Sequence, residues 1–375
     1  MNTHNQTRQT RFNWIDQTKG LAILAIIIFH FFQNYPERSQ LISILDRNGA
    51  KLGYAAVDIF FLMAGFNTSY ALISKLQKNQ IEQIKTKTNW KSWLIKRLYR
   101  IYPAYILAFM LSCLLYFLDN IKINLNLNFF LSFIGIAGIR FQSINPGFWF
   151  FTVILEAYLL TPLIFLFCKN KPSRILVLGL IGAIITKILA FYFLISDDTK
   201  TYLFFLQNNF IGSYLFQFCL GLYWGFIYAE HKIFRKIDFI VASILFSVGI
   251  IICAILTIFK LKYIYMLGID MLFTPLFFLG IQALLSRLEK IGKIGRILSF
   301  ISILGIYSYQ IYLIHQPLYF VLLPKLNYVI QINNYLKIGV SLMIVSILLS
   351  IYVFSFIKLE QFIMKMFETV MNKQN

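Results

Sequence analysis

Nine ionisable side chains fall inside or at the edges of long apolar runs: Lys19, His30, Asp58, Arg97, Arg100, Glu156, Lys187, Asp270 and His315. A charged group in hydrocarbon is costly unless it is paired or wet, so each marks a functional position by default. Lys19 and His30 are separated by eleven positions. At 3.6 residues per turn that is almost three whole turns, which puts both on one helix face about 16 Å apart. The face then carries a cation at one mouth and an imidazole deeper in; a snorkelling anchor and a packed histidine are the plainer alternatives. Arg97 and Arg100 are three positions apart and share a face, as a fork suited to phosphate or as simple flanking charge. Asp58 and Glu156 are carboxylates of the kind that orient an imidazole general base, or that pair with a structural cation. His315 lies among Tyr307, Tyr309 and Tyr312 and reads as structural or as lining for an acceptor. Asp270 fits either role, and Lys187 packs or snorkels.

Such residues need long apolar elements to hold them. Of the 375 residues, 59% are hydrophobic and 13% charged, against about 25% charged in soluble domains. This composition excludes collagen, coiled coil, disordered chain and disulfide scaffold, and indicates an all-α polytopic membrane protein. Ten spans are read: 14–33, 54–74, 101–118, 148–167, 175–195, 209–229, 239–259, 263–285, 301–323 and 337–357. They form one transmembrane domain over 1–375. The first span is read as retained, because no small-residue cleavage site follows it. The net charge of +20 is unevenly distributed. With both termini cytoplasmic, 24 of the 35 Lys and Arg face inward and ten outward, the asymmetry of the positive-inside rule. The apolar stretch 127–139 is too short to cross comfortably. A full crossing there would also turn the basic loops 169–174, 232–236 and 287–296 outward, so it is read as a re-entrant or outer-surface element. The four cysteines form no C-x-x-C, and no metal site is implied.

Five segments, in order, resemble the acyltransferase-3 family of bacterial membrane enzymes that acylate surface sugars. The stretch "RFNWIDQTKGLAILAIIIFH" is similar to the family's opening, with Lys19 and His30 as its basic-residue-x10-His motif. "VDIFFLMAGF" resembles its second-helix signature. "KRLYRIYPAY" resembles its R-x-x-R segment, with Arg97 and Arg100. "FWFFTVILEAYLLTPLI" resembles its Trp, Glu and Pro segment, with Trp149, Glu156 and Pro162. "GIYSYQIYLIHQPL" resembles its late segment ending in His315. Departures are Lys19 where Arg is commoner, Ala64 where Ser is frequent, and Glu156 seven positions after Trp149. With no hydrolase-like domain in the 375 residues, the resemblance is to a stand-alone form.

The resemblance implies acyl-CoA, most simply acetyl-CoA, as cytoplasmic donor, held by Lys19, Arg97 and Arg100. It implies a hydroxyl acceptor on a cell-surface or exported carbohydrate (O-antigen, capsule or exopolysaccharide) at the outer side of a bacterial inner membrane. His30 would be general base, oriented by Asp58 or Glu156, with Glu156 also a base or acceptor ligand. Trp149, Tyr309 and His315 would line the substrate. The rival readings are a polysaccharide or lipid-linked sugar transporter, whose path the same charges would line, and a non-enzymatic membrane component of a surface-polymer assembly. Nucleic-acid binding is not expected, since the basic residues are spread over a membrane face.

Overall fold

The computed structural model describes residues 12–74, 88–136, 144–168, 171–196, 201, 210–259, 269–291 and 294–374. Every regular element among them is helical. The helices are α1 Asn13–Asn34, α2 Gln40–Ile73, α3 Trp90–Leu118, α4 Leu127–Phe133, α5 Trp149–Cys168, α6 Ser173–Ile195, α7 Leu215–His231, α8 Lys236–Ile258, α9 Thr274–Leu288, α10 Gly295–Ile306, α11 Ser308–Val329 and α12 Asn334–Gln374. Short 3-10 turns precede α5 (Pro146–Phe148), α7 (Ile211–Ser213) and α9 (Ile269–Leu272).

Seven helices among the described residues are long and apolar enough to cross a bilayer, or eight if α10 and α11 count as one bent span. The sequence reading of ten is therefore matched only in part. α7 and α9, over the runs read as 209–229 and 263–285, have 17 and 15 residues. At about 1.5 Å per residue both are shorter than a hydrocarbon core of about 30 Å. Residues 202–209 and 260–268 lie outside the described residues. The run 301–323 is not one rod: the chain bends by 75° between α10 and α11. The second span starts earlier than read, at Gln40, because Ser39 caps the helix by accepting from the Ile42 N–H (3.3 Å).

Burial sorts the helices into layers. The most apolar window of α2 is 67% buried and those of α1 and α5 are 56% buried, whereas that of α8 is only 11% buried. α2 is thus central. α8 presents isoleucines such as Ile244, Ile251 and Ile255 outward, a surface suited to lipid rather than water. Between helices that lipid already solvates, close packing depends on small residues. Gly221 and Gly225 of α7 lie against the α2 backbone, so a Cβ on Gly221 would stand 1.9 Å from the Leu62 carbonyl oxygen. Gly305 of α10 meets α1 as tightly, its Cβ position 1.7 Å from the Asp16 carbonyl oxygen. That contact lays α10 across α1, and Tyr307 (φ −101°, ψ 14°) then turns the chain into α11.

α4, within the stretch read as 127–139, has seven residues, far too few to cross. The Phe109 and Phe129 rings pack 5.3 Å apart. Further on, the Ile134 and Ser132 carbonyls accept from the hydroxyls of Tyr102 (2.5 Å) and Tyr105. Tyr116 then donates to the Ile144 carbonyl at 2.7 Å. The described parts of this stretch thus meet α3 at Tyr102 and Tyr105 and again, through Ile144, at Tyr116. Residues 137–143, which include part of the 127–139 stretch, lie outside the described residues.

Candidate active site

Lys19, Arg97 and Arg100 come together. α1, α2 and α3, with α5, α10 and α11, enclose a cavity of about 220 Å³ lined by all three cations and by Asn67, Ser308 and Gln310. The Lys19 ammonium pairs with buried Asp16 at 2.8 Å, one turn earlier on α1. The Arg97 guanidinium lies over the Trp93 and Tyr158 rings, 5.3 and 5.6 Å from their centroids. Such stacking fixes its plane while leaving N–H groups for an anion. Arg100, one turn on, is exposed.

Further along the same face of α1, His30 Nδ1 stands 2.7 Å from Nε2 of His315 on α11. The rings are stacked, with centroids 4.9 Å apart and planes 22° apart. His315 is fully buried, and its Nδ1 lies 2.8 Å from the Tyr312 carbonyl oxygen and 3.1 Å from that of Ile311. A carbonyl can only accept, so the network assigns the His315 proton to Nδ1. Nε2 of His315 then carries a lone pair and accepts from the His30 Nδ1–H. The remaining His30 nitrogen, Nε2, is left as a free base.

The two carboxylates hold other groups. Asp58, buried in α2, accepts from the Thr274 hydroxyl at 2.7 Å and ties α2 to the start of α9. Glu156 of α5 accepts from the Ile211 backbone N–H at 2.8 Å. Trp149 stacks on Tyr214 (5.8 Å, 17°), which stacks on Phe61 (4.3 Å, 19°). Tyr309, read as substrate lining, lines the basic cavity, and its hydroxyl donates to the Ile101 carbonyl at 3.0 Å. Lys187 is half-buried in α6. Asp270 begins the turn before α9, and its side chain lies outside the described residues. Among those residues, no group of three or more His, Cys, Asp or Glu is placed to hold a metal ion.

Lys19 and His30 stand on α1, the two arginines come from α3 and His315 from α11. The family model Acyl_transf_3, described as an acyltransferase domain, matches residues 12–356. The chain belongs to this acyltransferase family. It is also similar to the peptidoglycan O-acetyltransferase OatA of Listeria monocytogenes serovar 1/2a (strain ATCC BAA-679 / EGD-e). The two are 32% identical over 90 residues, 24% of this chain and 11% of that protein. The chain thus spans about a tenth of that relative's length. No solved structure matches.

Besides the His30–His315 contact, two site features of this acyltransferase escaped the sequence reading. One is Asp16, whose i,i+3 spacing to Lys19 was a readable signal. The other is the support under His315. Pro317 has no N–H, so the Leu313 carbonyl four residues earlier lacks its helical donor. The buried Asn145 amide donates to it at 2.7 Å, and the Asn145 carbonyl oxygen accepts from the Gly147 N–H at 2.9 Å.

Proposed function

We propose that this protein transfers an acyl group, most simply acetyl, from acyl-CoA to a hydroxyl of a carbohydrate, with His30 as general base. The observation that carries the reading is the placement on α1. The basic cavity and the free Nε2 of His30 share one face, about 16 Å apart along the axis. Lys19, Arg97 and Arg100 would hold the CoA phosphates. The extended pantetheine arm would follow α1 and bring the thioester carbonyl to His30.

There, Nε2 takes the proton from the sugar hydroxyl as its oxygen attacks the thioester carbon. The C–O bond forms and the C–S bond breaks. The departing sulfur then takes the proton from Nε2 and leaves as the CoA thiol. His315 has the part that sequence reasoning gave to Asp58 or Glu156: its lone pair fixes the His30 tautomer. The Tyr312 and Ile311 carbonyls keep the His315 proton on Nδ1, so the Nε2 lone pair of His315 faces the transient His30 imidazolium. Asp58 and Glu156 hold α9 and the Ile211 turn in position, and Glu156 remains a ligand for the acceptor.

By the positive-inside rule, the excess of Lys and Arg supports a cytoplasmic Lys19 end and cytoplasmic termini, with the His30 end outward. That fits a bacterial inner membrane and an acceptor on a cell-surface or exported glycan. OatA, by its name, acetylates peptidoglycan, and the acceptor proposed here is of the same broad class.

The test is transfer in inverted vesicles. Acetyl-CoA labelled in the acyl group is supplied on the cytoplasmic face, and label is counted in sugar product. Label should appear with the wild type and be lost with His30→Ala. Wild-type transfer by His30→Ala in quantified, folded protein would overturn the base assignment.

A further inference from the structure

A second cavity, of about 490 Å³, opens at the Leu118 end of α3. Its walls include Tyr116, Lys122, Asn124, Phe129, Pro146 and Phe320. Three parts of the chain reach both cavities. α3 lines the basic cavity with Arg97 and the second with Tyr116. α5 supplies Tyr158 to the first, and the turn before it supplies Pro146 to the second. α11 supplies Gln310 to the first and Phe320 to the second, with His315 between them in the sequence of that helix. The imidazole pair is therefore flanked along α11 by a cavity on either side.

The two cavities differ in chemistry. The first gathers three cations. The second has one, Lys122, together with aromatic faces and amides. The Tyr116 hydroxyl is taken up by the Ile144 carbonyl, and the Asn126 carbonyl oxygen caps α4 by accepting from the Phe129 N–H. The exposed side chains of Lys122 and Asn124 have no polar partner among the described residues. Flat apolar rings beside free amide and ammonium donors are what a pyranose ring requires. Its C–H face packs on an aromatic, and its hydroxyls bond to donors at the rim. The volume falls in the range of small-ligand pockets, about 300–1,000 Å³.

We propose that this second cavity is a pyranose-binding subsite for the acceptor glycan, with Phe129 and Phe320 as apolar faces and Asn124 and Lys122 as polar contacts. The assignment rests on the acyl-transfer reading above.

The test uses the full chain in detergent and three fluorophore-labelled probes: a cello-oligosaccharide, a chito-oligosaccharide and an oligogalacturonate. Wild type should bind at least one. The double variant Asn124→Ala, Phe320→Ala should weaken that binding tenfold or more while leaving acetyl-CoA binding unchanged. Lys122→Ala, at an exposed site where folding is not at stake, should weaken it about threefold. Failure of the wild type to bind any probe, or wild-type affinity in both variants, overturns the proposal. Acetyl transfer from acetyl-CoA is measured on the same preparation. Sugar binding at this site without transfer would remove the transferase reading and leave the subsite standing.

Discussion

His30 and His315 are 285 positions apart in the chain, yet their ring nitrogens meet at 2.7 Å. Under the proposed mechanism the pair would be a base with a neutral acceptor behind it, in place of the more familiar imidazole backed by a carboxylate. Backbone carbonyls on α11 set the His315 tautomer, and through it that of His30.

If the lone pair of His315 orients His30, its removal damages chemistry rather than binding. His315→Ala should lower kcat about 10²-fold or more, within the range for loss of a positioned base. The KM for acetyl-CoA should stay within about twofold, since the basic cavity lies elsewhere on α1. Steady-state kinetics on detergent-solubilised protein read both, and a raised KM at unchanged kcat would count against the orienting role.

The arginine pair gives the opposite split. Arg97→Ala with Arg100→Ala should raise the KM for acetyl-CoA tenfold or more. Acetyl transfer from S-acetyl-N-acetylcysteamine, which lacks the nucleotide phosphates, should stay at the wild-type rate. Equal loss on both donors would argue against a phosphate role.

Glycine spacing should govern assembly of the bundle. A Cβ at Gly221 would sit 1.9 Å from the Leu62 carbonyl oxygen, so Gly221→Ala forces α7 away from α2. Overpacking of this kind costs about 1–3 kcal/mol. A lower Tm in detergent is expected for Gly221→Ala. At Gly280, where a Cβ meets nothing within 4 Å, Gly280→Ala should leave Tm unchanged.

Asn145 and Pro317 should compensate one another. Asn145→Ala leaves the Leu313 carbonyl buried without a donor, at a cost of about 1–3 kcal/mol. Pro317→Ala in that background restores the missing helical N–H. The double variant should therefore melt above Asn145→Ala alone and recover activity, and simple additivity of the two changes would rule the coupling out.

Much of the basic cavity was legible because the α-helical period is local. Eleven residues between Lys19 and His30, and three between Arg97 and Arg100, specify a face without any knowledge of the fold. The His30–His315 contact was not legible, since nothing local relates α1 to α11, and the nearby carboxylates offered a plausible but different partner. The break at Tyr307 was hidden for a related reason. Hydropathy runs on across it, and the bend comes from the seat of Gly305 on the α1 backbone. The charge argument against a crossing at 127–139 agrees with α4, whose seven residues are too few to span.

The hydrogen bonds at Nδ1 of His315 close the far side of the imidazole pair. That nitrogen faces main-chain oxygens, which have no proton to exchange, so the two rings form a cul-de-sac and not a wire. Under the proposed mechanism, a proton entering at His30 has one exit, back through Nε2 to the sulfur. Each turnover then exchanges neutral groups, hydroxyl for ester and thioester for thiol. Acyl export by this protein would be electrically silent, indifferent to membrane voltage and without a proton leak.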